Sequence, residues 1–397
     1  MEKVTHKVRM QTILNSSRFC SIFILLGFFQ LLANTAHGQE RSNFVRQYLD
    51  GIFRDTADVS RPQFIFYPVV GYAPETRTEI GISGLFLYYA KRDTTNRLSE
   101  VAIRTFYTFE RQYGAIVDHA LYTDKDKWFF LGNLKMQSFP VYFYGIGNNT
   151  PLSNEQVVEA FQLGIKERAL RQLIPNLYAG LEIEVQKTSR VRFSRADIIA
   201  NDPEIIGRNG YVNLGLGLGL VWDTRHNVLN VRSGSFSELA VLINRRSWGS
   251  DYNFGILNSD TRLFKKVTPT QTLAFQAIGQ YTWGEVPFGQ LPQFGGIMIG
   301  RGYYQGRFRD RGQWATQLEY RFLPLPLGFT KRVGAAVFAS TGQVFDDQIG
   351  PNFQDLKYAV GGGLRFLLFP KKDVYVRADY AVTAEGGGFY MFIGEAF

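Results

Sequence analysis

Residues 272–283 read TLAFQAIGQYTW. Leu273, Phe275, Ala277, Gly279, Tyr281 and Trp283 fall on one side of an extended chain, and Thr272, Gln276, Gln280 and Thr282 fall on the other. Alternation at a period of two is the signature of a β-strand with two unlike faces. The rhythm returns in WFFLGNLKMQS (128–138) and DVYVRADYAV (373–382). In NLYAGLEIEVQ (176–186), Leu177, Ala179, Leu181, Ile183 and Val185 oppose Tyr178, Gly180, Glu182, Glu184 and Gln186. Two-faced strands suit a sandwich or a barrel. Here the polar face carries Glu, Lys, Arg, Asp and Gln strand after strand, while the apolar face is wide and rich in aromatics. A secreted sandwich of this length would divide into domains joined by linkers, and no Pro/Ser-rich linker occurs. The chain holds 34 Phe and 21 Tyr, more than a soluble core needs, whereas membrane barrels place aromatics in girdles at both interfaces. The fold class expected is all-β: a transmembrane antiparallel barrel.

The N-terminus sets the compartment. Lys3, Lys7, Arg9 and Arg18 precede the apolar run FCSIFILLGFFQLLA (19–33), followed by small residues at Ala36 and Gly38. That order reads as a secretory signal over 1–38; the run is short for a membrane span, which needs about 20 residues. Cys20 is the chain's single cysteine and lies inside this signal, so the exported chain is expected to hold neither disulfides nor thiolate metal sites. Removing the signal takes four of the 44 bases and one of the 35 acids. The remaining balance, 40 against 34, is mildly basic and no polyanion binder's excess; nucleic acid is excluded as a partner by export. Residues 39–62 form a short periplasmic segment with room for one amphipathic helix, and the barrel is expected over 63–397.

Sixteen strands are expected from Gln63 to Phe397, spaced roughly 22 residues apart, as tilted spans of about 9–11 residues with their connections require. Segments eight to ten are less regular. An even count puts both ends of the barrel in the periplasm. Tight turns at 173–176 and 369–373 then fall on the periplasmic side, and the long stretches 139–155, 189–209, 284–312 and 345–355 fall outside.

Four stretches are similar to the BamA/TamA-type outer-membrane assembly barrels, the bacterial surface-antigen family: VVGYAPET (69–76), FPVYFYGIGNNTP (139–151), LVWDTRHNVLNVRSGSF (220–236) and GRGYYQGRFRDR (300–311) followed by QLEYRF (317–322). Their order and spacing match from about residue 63 onward. Most diagnostic is Arg301-Gly302-Tyr303, which resembles the arginine-glycine-aromatic signature of the family's sixth extracellular loop and precedes the twelfth expected strand. The family usually carries periplasmic POTRA domains before the barrel; this chain shows none and looks like a barrel-only branch.

The resemblance implies that this loop folds back into the lumen, where its arginine pairs with acids of the inner wall. Parity supplies candidates. Trp314, Thr316, Leu318, Tyr320 and Phe322 face lipid, leaving Gln317, Glu319 and Arg321 inside; Val374, Val376, Ala378, Tyr380 and Val382 face lipid, leaving Arg377 and Asp379 inside. A desolvated guanidinium needs carboxylate partners, so Glu319 and Asp379 are the expected lock. Where the family often shows an acid in a Phe-x-Asp-x-Gly stretch, FASTG (338–342) has Ser340, which would weaken the lock or centre it on Asp379. Arg301 either gates the lumen or simply plugs it.

The family mechanism implies a weak seam between first and last strands. Pro68 in the first strand cannot donate a ladder hydrogen bond, and Gly386, Gly387 and Gly388 open the last without side chains to pack. The alternative is that Pro68 marks a bulge and the glycines belong to a loop. The chain ends MFIGEAF; Phe389, Met391, Ile393 and Phe397 are expected on the lipid face, with Phe397 as a C-terminal assembly signal and Glu395 breaking that face near the periplasmic interface.

Chemistry-bearing constellations are few. Beyond the signal the histidines are His119 and His226, neither with a serine–acid arrangement nearby, so no enzyme is expected. Asp223-Thr224-Arg225 with His226-Asn227 reads as an Asx-type turn. Asp124 and Asp126 in YTDKDKW read as a solvated turn, with a calcium site as the lesser possibility. GIGNN (145–149) is a turn and no phosphate loop. No cofactor or metal is expected. Expected partners are outer-membrane lipids, client outer-membrane or secreted proteins, and a separate periplasmic docking protein. The function expected is assistance of protein or lipid insertion or translocation at the outer membrane; the alternative is a passive pore or structural barrel, permanently plugged.

Overall fold

The computed structural model of the chain describes residues 61–73, 77–195, 205–225, 230–348, 350–370 and 373–397. The expected signal, nearly all of the 39–62 segment, residues 74–76, His226 and Asn227, and Lys371 and Lys372 lie outside the described residues.

Sixteen long strands run antiparallel to their neighbours: β1 (Gln63–Ala73), β2 (Arg77–Tyr89), β3 (Leu98–Thr108), β4 (Tyr113–Tyr122), β5 (Trp128–Ser138), β6 (Gln156–Ile174), β7 (Leu177–Phe193), β8 (Tyr211–Asp223), β9 (Gly234–Asn244), β10 (Phe254–Thr268), β11 (Gln271–Gly284), β12 (Gly312–Phe322), β13 (Val333–Phe345), β14 (Lys357–Phe369), β15 (Val374–Thr383) and β16 (Gly386–Ile393). Each pairs with the next, and β1 meets β16, closing the barrel. The expected sixteen are all present, including the irregular eighth to tenth. A short stretch, Val141–Phe143, adds to β6, and Gln293–Phe294 pairs with Phe308–Arg309 inside the long β11–β12 connection.

The alternation read from the sequence becomes the wall. On β12, Gln313, Ala315, Gln317, Glu319 and Arg321 are buried, while Leu318 between them is exposed. Leu181, Leu218, Val337 and Leu364 are 55–68% exposed on the outer face, an apolar surface far beyond what a water-soluble monomer presents and suited to lipid. No helix among the described residues is long and apolar enough to cross a membrane; here strands do so.

The two ends differ. Odd-to-even connections include the long stretches 139–155, 194–210, 285–311 and 346–356, whereas even-to-odd ones are as short as Pro175-Asn176 and 269–270. β7 continues past residue 189 to Phe193, so the second long connection starts later than the sequence suggests.

Closure is uneven. The shortest other ladders in the wall, β3 with β4 and β15 with β16, have eight register pairs each, whereas β1 and β16 share one, Tyr72 opposite Met391. Pro68 sits in an unbroken register with β2, opposite Ile82, so it marks no bulge there. The three glycines belong to β16, opposite Thr383, Val382 and Ala381, and form no loop. They do not face Pro68. Extending the antiparallel register from Tyr72–Met391 sets Pro68 against position 395 and the glycines past Ala73, where β1 ends.

Candidate functional site

The β11–β12 connection places Arg301 against β12 and β15. Its Nη2 donates to Glu319 Oε2 at 2.7 Å and its Nη1 to Asp379 Oδ2 at 2.8 Å. All three side chains are almost fully buried. One guanidinium thus bridges two strands that are three apart in the wall, which its planar fork permits and a lysine's point charge would not. The Phe338 ring lies 3.4 Å below Cζ, so β13 offers an aromatic face to the cation. Ser340, where the family often has an acid, is buried on the same strand; the carboxylates come from β12 and β15.

The network is wider than the sequence suggested. Arg321 Nε donates to Glu319 Oε1 at 2.7 Å, Arg377 Nη1 to Asp379 Oδ2 at 3.3 Å, and Arg365 Nη1 to Asp379 Oδ1. Arg365 also lies 3.2 Å from Glu395 Oε2. Parity could have identified Arg365, since Gly363 and Arg365 face Asp379 and Arg377 across the β14–β15 ladder.

Glu395 and Phe397 correct the expected lipid face. Gly394 has φ +91°, conformational space open to glycine, and beyond it the chain leaves the strand. Glu395 is buried against Arg365, and Phe397 is 8% exposed, packed with Phe264, Ala274 and Val231. The Phe397 carbonyl accepts from Arg321 Nη2 at 2.9 Å. Burying that oxygen beside a guanidinium satisfies it, which lipid could not do. Phe389 remains exposed on the outer face.

The rest of the connection is strapped to the wall. Gly302 N donates to Tyr390 Oη at 2.8 Å. Its φ is +109°, and a Cβ there would come within 2.6 Å of Thr383 Cγ2, so only glycine fits. Tyr303 packs with Phe294, Ile299 and Phe308 against the small wall residues Ala315 and Ala359. Arg307 grips Glu385 through Nε and Nη2, both at 2.7 Å, and Thr150 through Nη1 at 2.8 Å. Gly147 N donates to Arg309 O at 2.8 Å, so the GIGNN turn braces this connection. Arg309 itself is 2% exposed with no carboxylate partner among the described residues; its Nη1 reaches Phe288 O at 3.4 Å and its Nε finds no acceptor among them. Burial pushes its pKa down to about 10.

The remaining motifs are structural. Asp223 Oδ1 accepts Arg225 N at 3.0 Å, the geometry of an Asx turn. Asp124 is held by Lys91 at 2.7 Å, and Asp126 accepts the Arg97 backbone N–H at 3.0 Å with the Arg97 guanidinium 3.7 Å away, so both carboxylates lie beside bases. His119 Nε2 lies 2.9 Å from Glu167.

The Omp85 superfamily domain matches residues 115–397. Comparison with curated proteins gives no match. Among solved structures, the chain resembles BamA from Haemophilus ducreyi lacking POTRA domains 1–3, at 14% identity and TM-score 0.55, covering 84% of this chain and 70% of that one. CdiB from Escherichia coli is similar at 9% identity and TM-score 0.55, with 87% and 69% covered. CdiB from Acinetobacter baumannii gives 9%, 0.51, 83% and 59%. These likenesses carry the barrel fold, and the domain match covers most of the chain: it belongs to the Omp85 superfamily of outer-membrane β-barrels, non-enzymatic proteins of BamA/TamA type that serve protein insertion or translocation.

Proposed function

We propose that this barrel assists client outer-membrane or secreted proteins into or through the outer membrane by opening laterally between β1 and β16. The observation that carries the reading is the single register pair at that seam, Tyr72–Met391, against ladders of eight pairs or more elsewhere. Each missing ladder bond removes a net contribution of about 1 kcal/mol to closure, and a β1 edge without a partner is a template for an incoming strand. In this reading the short-turn end faces the periplasm, and residues 285–311 fold inward to plug the lumen, locked by Arg301 on Glu319 and Asp379. Docking of clients falls to a separate periplasmic protein, and the neighbouring lipids are part of the seam.

The test is a cross-link. Tyr72→Cys with Met391→Cys, in a chain carrying Cys20→Ser, sets thiols on facing positions. Oxidation should block assembly or export of clients in a depletion strain, and reduction should restore it. Unchanged client levels with the bridge formed would sink lateral opening. The buried Arg301 network favours a second reading, a passive barrel with a permanent plug; that outcome is the one it predicts.

A further inference from the structure

We propose that the short-turn end carries a binding rim for anionic phospholipid headgroups, built from the β10 terminus and the β12–β13 connection. The strands β10 to β14 are consecutive in the wall. Lys265 stands opposite Leu273, Leu273 opposite Tyr320, and Tyr320 opposite Val337. Cross-strand partners share a face, so Lys265 lies on the lipid side, at the end of a row of apolar and aromatic side chains. Three strand spacings, about 15 Å, separate it from β13, where LPLPLGFTKR (323–332) crosses to the next strand.

That connection is unlike the others. Phe329 is 84% exposed and Leu327 is exposed beside it, followed at once by exposed Lys331 and Arg332. Lys266 is exposed next to Lys265. None of the four cations pairs with a described carboxylate, and stretches 263–273 and 322–336 contain no Asp or Glu. Some exposed cations elsewhere do find acids, as Lys91 does with Asp124, Arg77 with Glu110 and Arg246 with Glu285; here four unpaired cations share one end of the wall with an exposed phenyl ring.

The chemistry of the layer follows. A bare phenyl beside unpaired bases is poorly placed in water but well placed at a membrane interface, where aromatic rings sit at headgroup level and basic stems lie along apolar surface with their charges reaching out. Continuity with the lipid-facing wall selects a lipid over a soluble partner. The lack of carboxylate partners for these four cations selects an anionic phosphate headgroup, for which each surface cation is worth about a fivefold preference at modest ionic strength.

The experiment uses the purified barrel in vesicles of phosphatidylcholine with a minority of phosphatidylglycerol. Spin-labelled phosphatidylglycerol should be held at the protein surface several-fold over spin-labelled phosphatidylcholine, falling as salt rises. Joint Lys265→Gln, Lys266→Gln, Lys331→Gln and Arg332→Gln should remove the preference; these side chains are exposed and unpaired, and retained heat-modifiable mobility confirms the fold. Separately, an environment-sensitive dye on Phe329→Cys, with Cys20→Ser, should be quenched by brominated lipid. Equal association of both lipids with the unaltered protein overturns the proposal. So does a dye that stays in water, which would assign the loop to a soluble partner. Both leaflets have one composition, so neither readout depends on insertion direction or on the seam.

Discussion

Replacing Arg301 by alanine is the most informative single perturbation. Glu319 Oε2 loses its guanidinium hydrogen bond, while Glu319 Oε1 keeps Arg321. Asp379 loses its 2.8 Å contact but keeps Arg365 and Arg377. Two buried charge-assisted bonds at about 1.5–3 kcal/mol each bound the loss, and breaking a buried pair costs about 3–5 kcal/mol. Charge balance decides where in that range the variant falls. After the loss Glu319 keeps Arg321, and Asp379 keeps Arg365 and Arg377, so neither carboxylate is left without a cation. The expected cost is therefore near the lower end, about 3 kcal/mol. Asp379→Asn should cost more, because it leaves Arg301, Arg365 and Arg377 crowded around a neutral amide. The assay is the temperature at which the compact, heat-modifiable form converts during gel electrophoresis, with ion conductance in planar bilayers as the readout of the plug. Arg301→Ala should melt earlier and conduct more. Unchanged melting and conductance would refute the lock, and Arg301→Ala costing more than Asp379→Asn would refute the charge argument.

Three further outcomes are expected. Gly302→Ala, forced to φ +109° against Thr383, should cost about 1–3 kcal/mol and expose the loop to trypsin while the barrel keeps its heat-modifiable mobility. Arg309→Met should be neutral or stabilising, since it removes a buried cation that has no carboxylate partner among the described residues. Arg309 is depressed to about 10 in the fold against its ordinary value near 12.5, so the unfolded chain binds the extra proton between them. Stability should rise as pH climbs through about 10, and comparing melting at pH values on either side should show that slope lost in the methionine variant. Phe397→Ala empties a buried pocket against Phe264 and Ala274 and should cost about 3–5 kcal/mol in melting; a loss of membrane assembly without a loss of stability would instead assign the residue to the assembly signal alone.

The alternation in TLAFQAIGQYTW and its counterparts determined the strands, their two faces and their number, because a side chain on an extended chain has only two directions to point. That same parity placed Glu319, Arg321, Arg377 and Asp379 on the buried wall. The Arg301-Gly302-Tyr303 resemblance named the loop residue that meets them. Parity runs out where a strand ends. Gly394 at φ +91° redirects Glu395 and Phe397 from the lipid side to the interior, and no period predicts a turn out of the sheet. Nor does a one-dimensional pattern record which strands face one another across the barrel. Phe338, Arg365 and Tyr390 join the Arg301 site from β13, β14 and β16, and only the curvature and stagger of the closed wall bring them together. The seam divides in the same way. Pro68 and the three glycines are legible as weak ladder formers, but the offset that leaves Tyr72 opposite Met391 and little else comes from the closing geometry, because stagger is a property of all sixteen strands taken together.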